Sequence, residues 1–299
     1  MPSAELAGVV EMVRKMFTNE SLDIAGARAR LETAAALFER PKDVRYQPLD
    51  AGGVPAELVV APGADATRTL VYFHGGAYTA GSIGSHRALA TELSRAVGLR
   101  VLNVDYRLAP EHPHPAAVDD AVTAARFLWK SGTAPEHTAF AGDSAGGGLV
   151  VAALVALRDA SEPLPAAAVC LSPWTDLTLT RDSHTSRAAI DPMCKVPALT
   201  LSRDAYAAGR DPASPTISPV FAKLAGLPPL LVQVGSAELL LDDSTELVAN
   251  ARRAGVDATL EVWEDMIHVF QAFFPLLPEG REAIAEIARF LRARLGMAG

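Results

Sequence analysis

Residues 139–157 read AFAGDSAGGGLVVAALVAL. A short apolar run enters a cluster of small residues around Asp143-Ser144, and a long apolar stretch leaves it. The first run has the length of a buried strand and the second the length of a buried helix. Between them, Gly142-Asp143-Ser144-Ala145-Gly146 fits the pattern G-x-S-x-G. A serine on a sharp strand-to-helix bend needs small residues two before and two after it, because the strained turn crowds those positions. The same bend sets the serine at a helix N-terminus, whose partial positive charge favours a developing anion. Ser144 therefore reads as a nucleophile; the plain alternative is a glycine-rich structural turn.

Outward from this bend, short apolar strands alternate with helical patterns. TLVYFHGG is a strand running into glycines, SHRALATELSRAVG a helix closed by Gly98, LRVLNVDYRL a strand, and AAVDDAVTAARFLWKSG a helix. AAAVCLSPWTDL, PPLLVQVGSAE and ATLEVWEDM read as further strands. REAIAEIARFLRARL closes the chain as a helix with Ile284, Ile287, Leu291 and Leu295 on one face. Upstream, VRYQPLD and PAELVVAP flank AGG as two strands joined by a turn. This alternation predicts an α/β fold with a mostly parallel sheet covered on both faces. Residues 1–42 are helical in pattern, with Leu31, Ala34, Ala35, Leu37 and Phe38 before the break at Pro41. Residues 178–215 interrupt the rhythm without a strand and should fold as helices.

Composition narrows the function. Hydrophobic residues make up 49% of the 299 and charged residues 21%, ample for a large core. The formal net charge is −8 with no basic cluster, which argues against nucleic acid as a partner. The two cysteines, Cys170 and Cys194, have neither disulfide nor zinc spacing, and Cys170 reads as a buried thiol. No apolar run reaches the ~18 residues that span a bilayer, and the amphipathic first segment, with Glu5 and Glu11, does not read as a signal peptide. The expectation is a cytoplasmic protein with no membrane span.

A nucleophilic serine needs donors for an oxyanion. Gly75 and Gly76 follow the strand TLVYF, where glycine lets backbone N–H groups approach a substrate closely. With the N–H of Ala145 they would form a hole in which each donor contributes about 3–4 kcal/mol to the transition state. HGGAY, GDSAGG, DYRLAPEHPHPAA, SPWTD and GRDPASPTISPVFA together resemble the bacterial hormone-sensitive-lipase family of carboxylesterases, from about residue 45 to the C-terminus. The resemblance implies an α/β-hydrolase core with an eight-stranded sheet (residues 43–177 and 216–299). It also implies a helical cap built from residues 1–42 and the 178–215 insertion, and often a homodimer. One departure is Ala77, where the family often has a third glycine.

Of seven histidines, only His268 follows the last predicted strand, as the order serine, acid, histidine of this fold requires. His74 more plausibly braces the glycine loop, and His112 and His114 sit among prolines. Three acids compete in SAELLLDDST. Glu238 lies just past a strand end, where the orienting acid belongs; Asp242 could be the acid or its neighbour; Asp243 looks like an N-cap answered by Glu246. In the resembled family the first position is usually Asp, and Glu is an accepted replacement. The reading is a Ser144–His268–Glu238 triad acting on short- to medium-chain acyl esters with no cofactor or metal. Met16, Phe17, Leu201 and Tyr206 are candidates to line the pocket, although apolar cap residues as readily pack within the cap. Two competitors remain: a non-catalytic binding protein of the same fold, which His268 argues against, and an amide hydrolase using the same groups.

Overall fold

The computed structural model describes residues 2–17, 23–36 and 40–297; Leu37 and Phe38 of the expected N-terminal apolar face lie outside them. In chain order the elements are α1 (Glu5–Phe17), α2 (Ile24–Ala35), β1 (Arg45–Asp50), β2 (Pro55–Val60), β3 (Asp65–Phe73), α3 (Ile83–Val97), β4 (Leu99–Val104), α4 (Ala116–Lys130), β5 (Thr138–Asp143) and α5 (Ala145–Asp159). There follow β6 (Ala167–Leu171), α6 (Ser183–Ser186), α7 (Val196–Ala207), β7 (Leu230–Gly235), α8 (Leu241–Arg253), β8 (Ala258–Trp263) and α9 (Pro278–Arg294).

The eight strands form one sheet in the order β1-β2-β4-β3-β5-β6-β7-β8. β1, β2 and β4 pair antiparallel, whereas β3 through β8 run parallel. This is the mostly parallel α/β sheet that the alternation predicts, with the eight strands of the α/β-hydrolase core that the family resemblance implies. β5, β6 and β7 are buried along their whole length because helices cover both faces. On one face α4 and α5 pack Val118, Ala121, Leu149 and Val150 against Phe73 and Phe140; on the other α3 and α9 pack Leu89, Leu93, Ile287 and Leu291 against Leu70 and Val101. The four residues read as the inner face of the last helix are all buried.

Strand order reverses at β3, so the chain leaves β3 and β5 in opposite directions and opens a crevice beyond their carboxyl ends, where open α/β sheets bind ligands. The His74-Gly75-Gly76 loop follows β3 and Ser144 follows β5, so both fall at that crevice.

Three helical pieces join this edge. α1 buries Leu6, Val9 and Val13 against Met266, Ile267, Phe270 and Leu277, a small core of its own. The Ser3 N–H donates to Glu279 at 2.6 Å and fastens the same end to α9. α2 buries no residue fully and is held by polar contacts: Arg28 donates to the carbonyls of Thr79 (2.8 Å) and Ala109 (3.0 Å) and forks onto Glu111. Residues 178–215 contain α6, α7 and no strand. Among the described residues no helix is long and apolar enough to cross a membrane.

Candidate active site

Ser144 sits at φ 52° and ψ −122°, a conformation that costs a non-glycine residue roughly 1–3 kcal/mol. The surroundings enforce it. Its N–H donates to the Leu171 carbonyl at 2.8 Å, and its own carbonyl accepts from Trp174 (2.9 Å) and Gly148 (3.1 Å). A Cβ at Gly142 would collide with the Gly146 carbonyl, and one at Gly146 with the Phe73 carbonyl. The small residues around the serine are therefore a packing requirement of the bend. Ser144 is 8% exposed and occupies the N-cap position of α5.

On the other side of β6, two loops meet. His268 Nδ1 donates to Glu238 Oε2 at 2.6 Å, with both residues buried. The second oxygen of Glu238 accepts from the Ser172 hydroxyl at 2.7 Å and from the Gly235 N–H at 2.7 Å. Ser172 Oγ in turn accepts the N–H of Val269, next to the histidine, at 3.0 Å. One hydroxyl at the end of β6 thus ties the acid to the histidine loop. Because Ser144 bonds to the residue before Ser172, the bend is tied to the same strand end.

The charge balance follows from these contacts. Burial disfavours the His268 cation, while the adjoining Cys194 sulfur and the Glu238 carboxylate favour it. Burial pushes the Cys194 thiol itself up to about 11, so it is neutral near pH 7 and the carboxylate is what supports the cation. The net direction for His268 is well above its ordinary value.

The competing acids are otherwise engaged. Asp242 Oδ2 accepts the Ser183 N–H at 2.9 Å, which anchors the 178–215 insertion to α8. Asp243 is not an N-cap: α8 begins at Leu241, and Asp243 turns inward to take the N–H groups of Thr175 (2.9 Å) and Asp176 (2.8 Å) and to pair with His184 at 2.9 Å. Of the three, only Glu238 meets His268.

The glycine loop corrects one expectation. The N–H of Gly75 donates to Asp143 Oδ1 at 3.0 Å, so it is turned away from any substrate. Among the described residues, no acceptor takes the N–H of Gly76, Ala77 or Ala145. Gly76 and Ala77 have φ values of 115° and 54°, which turn successive peptides of the loop. Where the sequence suggested Gly75 and Gly76, the available pair is Gly76 and Ala77. His74 braces this loop, donating from Nδ1 to the Gly75 carbonyl at 2.8 Å; burial holds its pKa down at about 3 and keeps it neutral.

The four pocket candidates separate. Tyr206 is 1% exposed and stacks on Tyr78 with ring centroids 3.9 Å apart, so it packs α7 onto the loop after β3. Leu201, on the same helix, is 40% exposed. Met16 and Phe17 are half-buried at the end of α1, with the Arg30 guanidinium over the Phe17 ring at 5.3 Å.

Sequence reasoning missed Ser172, Asp143 and Asp191. Ser172 was visible in SPWTD, directly after a strand on the edge that carries Ser144. Asp191 had no local signal: buried, it accepts from Met193 and Cys194 at 2.8 Å and from Leu239, beside the acid, at 2.8 Å.

Comparison with known proteins agrees with this fold. A family model described as alpha/beta hydrolase fold matches residues 70–272. An acetyl-hydrolase of Streptomyces hygroscopicus is 45% identical over 99% of this chain and 99% of its own length. The crystal structure of an esterase from the bacterial hormone-sensitive lipase family superposes with a TM-score of 0.96 at 48% identity, covering 99% of both chains. EstE5, whose crystal was soaked with p-nitrophenyl butyrate, superposes with a TM-score of 0.94 at 44% identity over 98% of this chain and 99% of its own.

Proposed function

Since the chain belongs to the bacterial hormone-sensitive-lipase family of the α/β-hydrolase fold, we propose that it is a serine carboxylesterase for short- to medium-chain acyl esters, working through Ser144, His268 and Glu238. The observation that carries this reading is the buried bond from His268 Nδ1 to Glu238. It fixes the tautomer and leaves Nε2 as the nitrogen that can take a proton.

In this reaction Ser144 Oγ forms a bond to the ester carbonyl carbon while its proton passes to His268 Nε2. The carbonyl oxygen becomes an oxyanion and accepts from the N–H groups of Gly76, Ala77 and Ala145. Collapse breaks the bond to the leaving oxygen, which takes the proton from His268 and departs as the alcohol. The acyl group stays on Ser144 until a water, deprotonated by the same nitrogen, releases the carboxylic acid. Glu238 supports the imidazolium in both halves.

The helices of residues 1–42 and the 178–215 insertion act as a cap that limits the length of the acyl group. Leu201 and the α1 end carrying Met16 and Phe17 remain its candidate contacts, whereas Tyr206 supports the wall from behind. The acetyl-hydrolase relative supports the short-chain preference. The test is turnover of p-nitrophenyl acetate, butyrate, octanoate and laurate, with an aminoacyl p-nitroanilide beside them. Rates highest at acetate or butyrate are expected. No ester turnover, or a faster anilide, would overturn the reading.

A further inference from the structure

We propose that Asp143 is the positioning residue of the oxyanion loop: its carboxylate, one residue before the nucleophile, sets the direction in which the Gly76 and Ala77 N–H groups point. This rests on the esterase reading above and adds to it a residue that touches no substrate.

The carboxylate is buried and reached from three elements. Oδ1 accepts the Tyr72 hydroxyl of β3 at 2.5 Å and the Gly75 N–H at 3.0 Å; Oδ2 lies 3.3 Å from His86 Nε2 of α3. A buried carboxylate without partners would be costly; with these partners it becomes a rigid post. Burial alone would raise its pKa, but the His86 and Tyr72 contacts outweigh it and hold the group below the ordinary carboxylate range. It is therefore charged at neutral pH, when N–H donors bind it best.

The loop is clamped at two successive peptides. In the His74–Gly75 peptide the carbonyl accepts from Tyr106 OH at 2.7 Å and the N–H donates to Asp143. In the Gly75–Gly76 peptide the carbonyl accepts from His74 Nδ1 at 2.8 Å. A trans peptide sets its N–H opposite its C=O, so holding the Gly75 carbonyl aims the Gly76 N–H the other way, away from His74 Nδ1. The clamp leaves no room for a side chain: a Cβ on Gly75 would collide with the Asp143 carboxylate and come within 3.1 Å of the Asp143 carbonyl. Elbow and loop are thus registered to each other through one residue, so the nucleophile and the oxyanion donors keep a fixed separation.

The experiment compares Asp143→Ala, Asp143→Asn and Tyr72→Phe with wild type, using p-nitrophenyl butyrate. Each variant is also assayed for inhibition by an aryl trifluoromethyl ketone, whose adduct carries an oxyanion, and for amide hydrogen exchange at Gly75. Removing one oxyanion donor typically costs 10²–10³ in kcat, so Asp143→Ala should lose roughly 10²-fold in kcat with KM nearly unchanged. Its inhibition should weaken in parallel, and Gly75 should exchange faster. Asn keeps an acceptor for Gly75 and should recover most of the rate, while Tyr72→Phe should lose less than Ala with the same signature. The acid limb of the pH–rate profile should not move. The proposal is overturned if Asp143→Asn is as slow as Ala, if KM rises as kcat falls, or if Gly75 exchange is unchanged in Asp143→Ala. Should Asp143→Ala fail to fold, Asn and Tyr72→Phe decide alone. If wild type hydrolyses no ester, the proposed function falls, and Gly75 exchange still decides whether Asp143 holds the loop.

Discussion

Two buried carboxylates flank the nucleophile, and they are held in contrasting ways. Glu238 spends one oxygen on an ionisable ring and the other on Ser172 and Gly235. Asp143 spends Oδ1 on an N–H and a phenol and only Oδ2 on a histidine, at 3.3 Å. Under the proposed mechanism the first arrangement sets how strongly a base holds its proton, and the second sets where peptide dipoles point. Similar chemistry, at the end of β5 and again just past β7, serves geometry in one place and proton transfer in the other on this reading.

Substitutions that separate the two sides sharpen this contrast. The largest effect belongs to neither: Ser144→Ala should lower kcat by roughly 10⁴–10⁶-fold and leave the melting temperature close to wild type. Ester turnover near the wild-type rate would remove the shared mechanism from both sides.

Next comes Glu238→Gln, with a kcat loss on the order of 10⁴-fold by analogy with other triad acids. Here the pH profile matters more than the rate. A raised His268 pKa keeps the base protonated up to higher pH, so in wild type kcat/KM should climb through a limb lying above about 6.5. Replacing the carboxylate removes the support for the cation, so the limb should move to lower pH. A limb that stays in place in Glu238→Gln would erase the distinction from Asp143. The same pKa has a stability counterpart: a group whose pKa rises on folding stabilises the native state at low pH, and that contribution is lost as pH rises through the folded value.

Ser172→Ala should be milder and should act on one side only. It leaves the buried Val269 N–H without its acceptor, a loss of about 1–3 kcal/mol in stability. Chemical denaturation would measure this, and an unchanged midpoint would mean water replaces the hydroxyl. The smallest effect belongs to Asp242→Asn, which touches the Ser183 N–H and not the histidine. Its kcat should stay within a few-fold of wild type; a loss rivalling Glu238→Gln would transfer the role of the acid to Asp242.

What could be read in the sequence follows the range of the interactions. The elbow was legible because its crowding is local, fixed by residues within two positions of Ser144. Glu238 was legible from chain order, one loop after a strand, and it does meet His268 in the structure. Gly75 was misassigned because its N–H is taken by a carboxylate 68 residues away, and no spacing rule announces such a partner. Asp243 followed a local capping pattern, yet the 172–176 loop and His184 claimed it instead. Tyr206 was correctly placed on a helix, but stacking on Tyr78 from a distant loop put it inside the wall.

The small core under α1 has a consequence for biosynthesis. Leu6, Val9 and Val13 leave the ribosome long before Met266, Ile267 and Phe270, and the Ser3–Glu279 bond closes a loop of 276 positions. At elongation rates of ~5–20 residues per second, α1 waits on the order of tens of seconds with its apolar side uncovered. The segment bearing His268 acquires its packing on α1 about 250 residues after α1 itself is made. On the proposed reading, this protein cannot begin to work until residues 266–277 have been made and have packed on α1.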